Sequence, residues 1–125
     1  MASSSPIYRR RILLVEDDPA VRRSLQLLLR AQDYDVRAYG TGHALSQEPE
    51  ALKADCLVAD LVIPDTNGLN LLTNLRAAGW NGPAILISGH IDDVMKLRAQ
   101  KCGFLHIFEK PFSENLLIAA VRRLI

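Results

Sequence analysis

The sequence predicts one α/β domain, in which a parallel β-sheet is covered by helices on both faces. Five short apolar or β-rich runs alternate with five segments of helical character along the 125 residues. Such alternation is typical of a parallel sheet, because each strand must be joined to the next by a crossover helix. The runs at 12–15, 56–59 and 84–87 are apolar throughout, as in strands that are buried on both faces. A chain of this length can bury a core without disulfides or metals.

Five runs have the composition expected of strands. The second alternates between apolar and polar residues, and the fifth is rich in aromatic and β-branched residues. The third ends in the carboxylate of Asp60, and Pro64 stops the segment shortly afterwards. The predicted strands are residues 12–15, 36–39, 55–60, 84–88 and 104–108.

Each helical segment has a recognisable start or end. Asp18-Pro19 is typical of an N-cap followed by the first helical residue, and Ser113 is an N-cap before the last helix. Gly79 and Gly103 are typical residues after a helix end. The second helix is weaker, and residues 48–49 interrupt or end it. The predicted helices begin at Asp18-Pro19, at Thr41 or Gly42, after Gly68, at Asp92 or Asp93, and at Ser113.

The composition is that of an ordinary globular protein, with 49% hydrophobic residues and a formal net charge of +1. This charge gives no indication of direct nucleic-acid binding, and no apolar run is long enough for a membrane span or a signal peptide. We therefore expect a cytoplasmic protein, with Cys56 and Cys102 as reduced thiols. Residues 1–10 are expected to form a flexible leader, and residues 11–125 the folded domain. The basic triplet 9–11, which leads into the first strand, is expected to be solvated.

Polar residues end or directly follow four of the five predicted strands. Glu16 and Asp17 follow the first, Asp60 and Ser88 end the third and fourth, and Lys110 follows the fifth. Because the carboxyl ends of parallel strands share one edge, we expect these side chains at one site. Each close pair of carboxylates costs about 1 to 4 kcal/mol at a separation of about 4 Å. A hard cation relieves this repulsion, and ligands that are all oxygens favour Mg²⁺.

Such a site has the parts needed for phosphoryl transfer. Asp60 can act as the nucleophile, while Lys110 and Ser88 can contact phosphoryl oxygens. Each residue alone also has an ordinary structural explanation: Asp17 as a helix cap, Ser88 as a turn hydroxyl and Lys110 as a solvated charge. Their joint position at one edge of the sheet is what indicates a site.

Four motifs together resemble the receiver domain of bacterial two-component response regulators. The resemblance extends from about residue 11 to residue 125. Within the family, the sequence is similar to the chemotaxis regulator and to the receivers of helix-turn-helix transcription regulators. It implies a flavodoxin-like (βα)5 fold, a three-layer sandwich whose parallel sheet has the order 2-1-3-4-5. The motifs are residues 14–18, residues 60–64 with Gly68, residues 87–89 and residues 109–112.

The resemblance implies that Asp60 is the phosphoacceptor of a two-component phosphorelay. Its phosphoryl group would come from a histidine of a sensor kinase or of a histidine phosphotransfer protein. Mg²⁺ (or Mn²⁺) would be held by Asp17, Asp60 and the main-chain carbonyl of Val62, with Glu16 acting through water. The chain would then be a self-phosphorylating signalling switch and not a turnover enzyme.

The resemblance also assigns the switching residues. Lys110 and Ser88 would contact the phosphoryl group, and the peptide bond between Lys110 and Pro111 is expected to be cis. A downstream protein partner would bind through residues 91–125, and a homodimer is possible. The exposed residues expected on that face are Lys96, Arg98, Lys101, Ile118 and Arg122.

The chain departs from the family pattern at several positions. Ile107 stands where the family usually has Tyr or Phe, which excludes the usual aromatic rotation. Val62 and His90 occupy the positions that tune dephosphorylation, and an apolar Val62 cannot position an attacking water. We therefore expect a long-lived phosphoaspartate. Phe104 and Phe108 are expected in the core, with contact to a partner as the alternative for both.

Several other function classes are alternatives to a phosphorylated switch. The chain could be the receiver part of a DNA-binding transcription regulator, or a pseudo-receiver that binds partners without phosphorylation. A Mg²⁺-dependent phosphatase or other hydrolase is disfavoured, because Val62 stands where a second Asp is needed and no cap domain fits. A nucleotide-binding domain is disfavoured because residues 16–19 replace the required Gly-rich loop.

Overall fold

The computed structural model describes residues 8–125, which form one five-stranded parallel sheet with helices on both faces. The strands are β1 (Arg11–Val15), β2 (Asp35–Tyr39), β3 (Cys56–Asp60), β4 (Val62–Ile63), β5 (Thr66–Asn67), β6 (Ala84–Ser88) and β7 (Phe104–Glu109). The sheet order is β2-β1-β3-β6-β7. Leaving out the two short strands β4 and β5, which form a separate hairpin, this is the expected order 2-1-3-4-5, so the predicted fold class is confirmed.

Residues 8–125 contain five α-helices, of which four connect successive strands of the sheet and the last follows β7. Each is preceded by a capping side chain that accepts a hydrogen bond from the helical backbone. These caps satisfy amides that would otherwise lack partners, which is why the helices begin where they do. The capping residues are Asp18, Thr41, Asn67, Asp92 and Ser113. The helices are α1 (Pro19–Arg30), α2 (Gly42–Ser46), α3 (Gly68–Ala77), α4 (Asp93–Cys102) and α5 (Glu114–Leu124), with a 3₁₀ turn at Ala51–Lys53.

Two hydrophobic cores lie on opposite faces of the sheet, because successive side chains of each strand alternate between faces. Leu13 and Leu57 contribute to the core beneath α2, α3 and α4. Ile12 and Val58 contribute to the core beneath α1 and α5. Since both faces are covered at the centre of the sheet, β3 and β6 are buried at every residue, and the carboxylate and hydroxyl side chains of these two strands are confined to their ends.

A bulge in β7 changes the direction of its side chains. Ala84 pairs with Phe104, but the next pair is Ile85 with His106, so Leu105 is an extra residue and is 58% exposed. Phe104 is therefore buried in the core under α4, as expected. Phe108 lies on the other face, only partly buried.

The β4–β5 hairpin is an element that the sequence did not predict. The central strand ends at Asp60, and Pro64 lies in the turn of this hairpin, so the prediction that Pro64 stops the strand is wrong. At the same turn, the Asp65 carboxylate accepts hydrogen bonds from the amides of Gly42 (2.9 Å) and His43 (2.8 Å). The hairpin therefore caps the start of α2.

The expected leader, residues 1–10, lies largely outside the described residues. Of the part that is described, the Tyr8 hydroxyl donates to Asp55 Oδ2 at 3.1 Å. The triplet 9–11 is exposed at Arg9 and Arg10, as expected for solvated charges, whereas Arg11 is partly buried. Each arginine also pairs with an aspartate. The ion pairs are Arg9 with Asp33 at 2.9 Å, Arg10 with Asp55 at 3.8 Å and Arg11 with Asp35 at 2.9 Å.

No helix among residues 8–125 is long and apolar enough to span a bilayer.

Candidate functional site

Three acids lie together at the carboxyl edge of the sheet. β1 and β3 are neighbours in parallel register, which places Glu16 and Asp60 side by side just beyond the paired residues. Glu16 is 0% exposed and Asp60 is 5% exposed, whereas Asp17 is exposed. One carboxylate oxygen from each acid lies within 4.8 Å of the other two. The strand ends therefore meet as the topology predicts.

Lys110 places a positive charge between two of these acids. Its Nζ atom lies 2.5 Å from Glu16 Oε1 and 2.6 Å from Asp60 Oδ2. Burial lowers the pKa of Lys110, but the hydrogen bonds to Asp60 and Glu16 outweigh burial and raise the pKa above its ordinary value. The expectation that a divalent cation alone relieves the repulsion is therefore incomplete, because Lys110 supplies part of that relief.

Both oxygens of the Asp60 carboxylate and both oxygens of the Glu16 carboxylate accept hydrogen bonds. Asp60 Oδ1 accepts a hydrogen bond from the Val62 amide at 3.0 Å, while its Oδ2 faces Lys110. Glu16 Oε2 accepts from the Asp18 amide at 3.1 Å, while its Oε1 faces Lys110. Burial raises the pKa of Glu16, and the hydrogen bonds from Lys110 and Asp18 offset only part of this effect.

The donor set suits a hard divalent cation. Glu16, Asp17 and Asp60 offer only carboxylate oxygens, and a single ammonium, that of Lys110, faces two of them. The cluster therefore retains excess negative charge. Carboxylate and carbonyl oxygens are the ligands that Mg²⁺ and Mn²⁺ prefer in proteins. The residues present thus fit an ion of this class.

The hydroxyl of Ser88 lies at the end of β6, the strand beside Asp60. Ser88 is 0% exposed, and its Oγ donates to the carbonyl of His90 at 2.8 Å. Its own carbonyl accepts from the Lys110 amide at 2.6 Å, which ties the end of β6 to the residue after β7. The His90 side chain is exposed. Ser88 therefore bonds to the loop that follows it, and this bond must break before its hydroxyl can turn elsewhere.

Two further predicted positions lie on β7 and just after it. Ile107 pairs with Leu86 and is partly buried against the core beneath α4. The Ile107 side chain is aliphatic, and it has neither the ring nor the hydroxyl that signalling by side-chain rotation would need. The peptide bond between Lys110 and Pro111 is cis.

Sequence reasoning missed the contribution of Arg22, a residue of α1. Its Nη1 donates to the carbonyl oxygen of Glu16 at 2.9 Å and to that of Asp17 at 3.3 Å. On the helical pattern Arg22 appears only as a polar residue away from the apolar stripe. The one available signal is its place in the first turn after the acids, from which a long side chain can fold back towards them.

The predicted partner face, residues 91–125, is exposed at most of the expected positions. Lys96, Arg98, Lys101 and Arg122 are exposed, but Ile118 is partly buried, so its predicted exposure is wrong. The same stretch carries exposed apolar side chains at the first two turns of α4, at the bulge of β7 and at the start of α5. These are Val94 (69% exposed), Leu97 (53%), Leu105 (58%) and Leu116 (60%).

Known proteins share this sequence pattern. The family model of the response regulator receiver domain matches residues 12–122. The transcriptional regulatory protein FixJ of Rhizobium meliloti is 34% identical over 110 residues, 88% of this chain and 54% of FixJ. The response regulator protein TmoT of Ectopseudomonas mendocina is 35% identical over 111 residues, 89% of this chain and 50% of TmoT. The chain spans about half the length of these relatives.

Solved structures share the fold. The non-phosphorylated HemR receiver domain from Leptospira biflexa matches with a TM-score of 0.83 and 28% identity, over 93% of this chain and 94% of that one. The BeF3-activated N-terminal receiver domain of Klebsiella pneumoniae RstA matches with a TM-score of 0.83 and 26% identity, over 92% and 97%. From the family match, the relatives and the shared fold, we conclude that this chain belongs to the response regulator receiver domain family.

Proposed function

We propose that this chain is a phosphorylation-controlled switch in which Asp60 accepts a phosphoryl group from a histidine of a sensor kinase or of a phosphotransfer protein. One observation carries this proposal. The Asp60 carboxylate is fixed at the end of a buried strand, with Lys110 on one oxygen and the Val62 amide on the other. A nucleophile held in this way loses little orientational freedom when a donor arrives.

The proposed transfer is a displacement at phosphorus. A carboxylate oxygen of Asp60 bonds to the phosphorus atom while the bond from phosphorus to the imidazole nitrogen of the donor breaks. The electron pair leaves with that nitrogen, which then takes a proton. Lys110 lies within 2.6 Å of Asp60, so its ammonium can follow the negative charge that develops on the transferred oxygens.

Asp17, Asp60 and the main-chain carbonyl of Val62 would hold Mg²⁺ or Mn²⁺, with Glu16 contributing through water. When bound, such an ion neutralises charge on the phosphoryl oxygens. The exposure of Asp17 supports a direct role for its carboxylate. Both oxygens of Glu16 already accept hydrogen bonds from Lys110 and Asp18, which supports an indirect role.

Ser88 is the proposed link from the phosphoryl group to the partner face. In the structure its hydroxyl donates to the His90 carbonyl, at the start of the loop that leads to α4. Turning the hydroxyl towards a phosphoryl oxygen on Asp60 would release that carbonyl and allow the loop to move. Because Ile107 has no polar group or ring, we infer that the signal runs through Ser88, through shifts of the backbone or through Phe108.

The proposed output is a changed affinity for a protein partner that binds residues 91–125. Exposed apolar side chains such as Val94 and Leu97 lie among exposed cations there, which suits a protein surface. Since relatives twice as long include a protein named as a transcriptional regulator, the alternative is that this chain acts as the receiver half of such a regulator. We propose no direct nucleic-acid contact for it, and a homodimer on the same face is a further outcome to test.

A pseudo-receiver that never accepts phosphoryl is the less favoured candidate, because the acids, Ser88 and Lys110 all lie at one edge. We propose a switch and not a turnover enzyme, since the proposed product stays bonded to Asp60. Both cysteines are free, which suits the reducing cytoplasm where we place the protein.

Intact mass spectrometry tests the proposal. After incubation with Mg²⁺ and acetyl phosphate, the wild-type chain should gain the mass of one phosphoryl group, and Asp60→Asn should gain none. Asp33→Asn is the matched control, because Asp33 lies in an exposed turn before β2 and has a positive φ that Asn also tolerates. A wild-type chain that gains no mass, or an Asp60→Asn variant that gains as much as wild type, would contradict the proposal.

A further inference from the structure

The side chain of Arg22 reaches from α1 to the backbone of the acidic loop after β1. Its Nη1 donates to the carbonyl of Glu16 at 2.9 Å and to that of Asp17 at 3.3 Å. These two residues supply two of the three clustered carboxylates. The Arg22 side chain therefore restrains the backbone of two of the three clustered acids.

The guanidinium is also enclosed from the side of β2. The Glu16 amide donates to the Tyr39 carbonyl at 3.0 Å, so the acidic loop runs beside the end of β2. The next residue, Gly40, leaves room for Arg22: a Cβ built there would lie 2.8 Å from Nη1 and 3.6 Å from Cζ. The place of the guanidinium is thus set by two carbonyls and by the absence of a side chain at Gly40.

The acids need such a restraint because they repel one another. Lys110 contacts Glu16 and Asp60 but makes no hydrogen bond with Asp17, among the residues that the structure describes. A flexible loop would reduce the repulsion by moving Asp17 away from the edge. The bonds from Arg22 to the Glu16 and Asp17 carbonyls oppose this movement.

We infer that Arg22 is a positioning residue for the divalent-cation site: by holding the Glu16 and Asp17 carbonyls, it keeps their carboxylates within reach of Asp60. The inference rests on the proposed function, because it presumes that the edge binds a divalent cation. Arg22 itself does not touch the ion, since it carries positive charge and, within residues 8–125, its side chain bonds only to the backbone. Both bonds come from the single nitrogen Nη1, and the planar guanidinium presents this nitrogen in a more preorganised way than the flexible stem of Lys presents its ammonium.

Metal affinity separates positioning from a merely structural role. Loss of a simple stabilising contact lowers the free energy of unfolding but leaves the affinity of the folded protein for the ion unchanged. Loss of a positioning contact weakens affinity even when the protein is fully folded, typically by about 10- to 100-fold for residues that support metal ligands.

The experiment measures the Kd of the full chain for Mn²⁺ from the electron paramagnetic resonance signal of the free ion, with folding checked by circular dichroism. We expect Arg22→Met to raise the Kd at least about tenfold, and Arg22→Lys to restore only part of the loss. Arg23→Met is the matched control, because Arg23 is the next residue of α1 and is exposed. We expect it to change the Kd less than about twofold.

Gly40→Ala is a second variant, which keeps Arg22 but places a methyl group against its guanidinium. It should raise the Kd several-fold in the wild-type background, and it keeps the inference testable if Arg22→Met fails to fold. Folded Arg22→Met or Gly40→Ala proteins with the wild-type Kd would overturn the inference. A wild-type chain that binds no Mn²⁺ would instead overturn the metal site of the proposed function, so the two failures are distinguishable.

Discussion

The Nζ atom of Lys110 lies 2.6 Å from Oδ2 of Asp60, although 50 residues separate them in the sequence. The same ammonium lies 2.5 Å from Glu16 Oε1. Glu16 is fully buried, and a buried carboxylate without a partner is costly. Lys110 therefore stabilises the folded chain as well as facing the proposed phosphoacceptor.

Lys110→Met should lower the free energy of unfolding in the presence of EDTA by about 1 to 3 kcal/mol, since it removes two hydrogen bonds between charged groups at a partly exposed site. Urea denaturation at pH 7 measures this difference. The matched control is Lys53→Met, because the Lys53 side chain is 77% exposed and, in the part of the chain that the structure describes, its ion pair is with Glu50. We expect it to cost less than about 0.5 kcal/mol. Equal losses in the two variants would contradict a special role for Lys110.

Val62→Asn should shorten the lifetime of the phosphorylated chain roughly tenfold, because an amide side chain can orient a water molecule for attack and a valine cannot. The decay of the phosphorylated mass after removal of the donor gives the rate. Val94→Asn is the same substitution at an equally exposed valine, 69% against 68%, on α4. It should leave the lifetime unchanged, and a Val62→Asn lifetime equal to wild type would refute the prediction.

The two thiols should react at very different rates in the native protein. Cys56 is fully buried in β3, and burial raises its pKa to about 12. Cys102 is only partly buried, with its Sγ 3.3 Å from the Leu69 carbonyl. With Ellman's reagent at pH 8 we expect rapid modification of Cys102 alone, because the thiolate is the reactive form. A native Cys102→Ser protein that still reacts rapidly would show that Cys56 is accessible, and unfolding in guanidinium should release both thiols.

The ion pairs of Asp35 should contribute to stability at neutral pH and be lost in acid. Burial raises the pKa of Asp35, but the hydrogen bonds from Arg11 and Arg37 outweigh burial and lower the pKa below its usual value of 3.8. A depressed folded pKa means that the contribution is fully present above pH 3.8 and falls as the pH drops through the folded value. The variant Asp35→Asn should therefore be less stable than wild type at pH 6.

The measurement for Asp35 is urea denaturation from pH 6 to pH 2. The difference in unfolding free energy between wild type and Asp35→Asn should shrink steadily below pH 4. Asp93→Asn is the control, because Asp93 is exposed and makes no ion pair within residues 8–125. A difference between wild type and Asp35→Asn that does not change with pH would contradict the assignment.

Gly68→Ala should destabilise the chain by about 1 to 3 kcal/mol, because there is no space for a methyl group at this position. A Cβ at Gly68 would lie 2.6 Å from the Asp60 carbonyl oxygen and 2.8 Å from Leu86 Cδ1. Gly89→Ala is the matched control, since a Cβ there meets nothing within 4 Å. Thermal denaturation of both variants tests the prediction, and equal melting temperatures would contradict it.

The parts of the fold that depend on near neighbours in the chain were predictable. Asp18-Pro19 starts α1 because the cap bonds to amides two and three residues later, and the apolar runs at 12–15 and 84–87 need two covered faces. The acids at the strand ends could be placed at one edge once a parallel sheet was predicted, because the carboxyl ends of parallel strands all lie on one side. Pro64 misled the prediction, because a proline in a hairpin turn and a proline at a strand end look alike in sequence.

The sequence by itself determined the alternation along the chain of the five sheet strands with the five helices, the two covered faces of the sheet and the edge at which the acids gather. Only the tertiary structure decided that Lys110 lies between Glu16 and Asp60, that Arg22 reaches the acidic loop and that Leu105 is the extra residue of a bulge. The physical reason is one of range. Periodicity and capping depend on residues a few positions apart, whereas these contacts depend on strand register and helix packing, which the whole core sets at once.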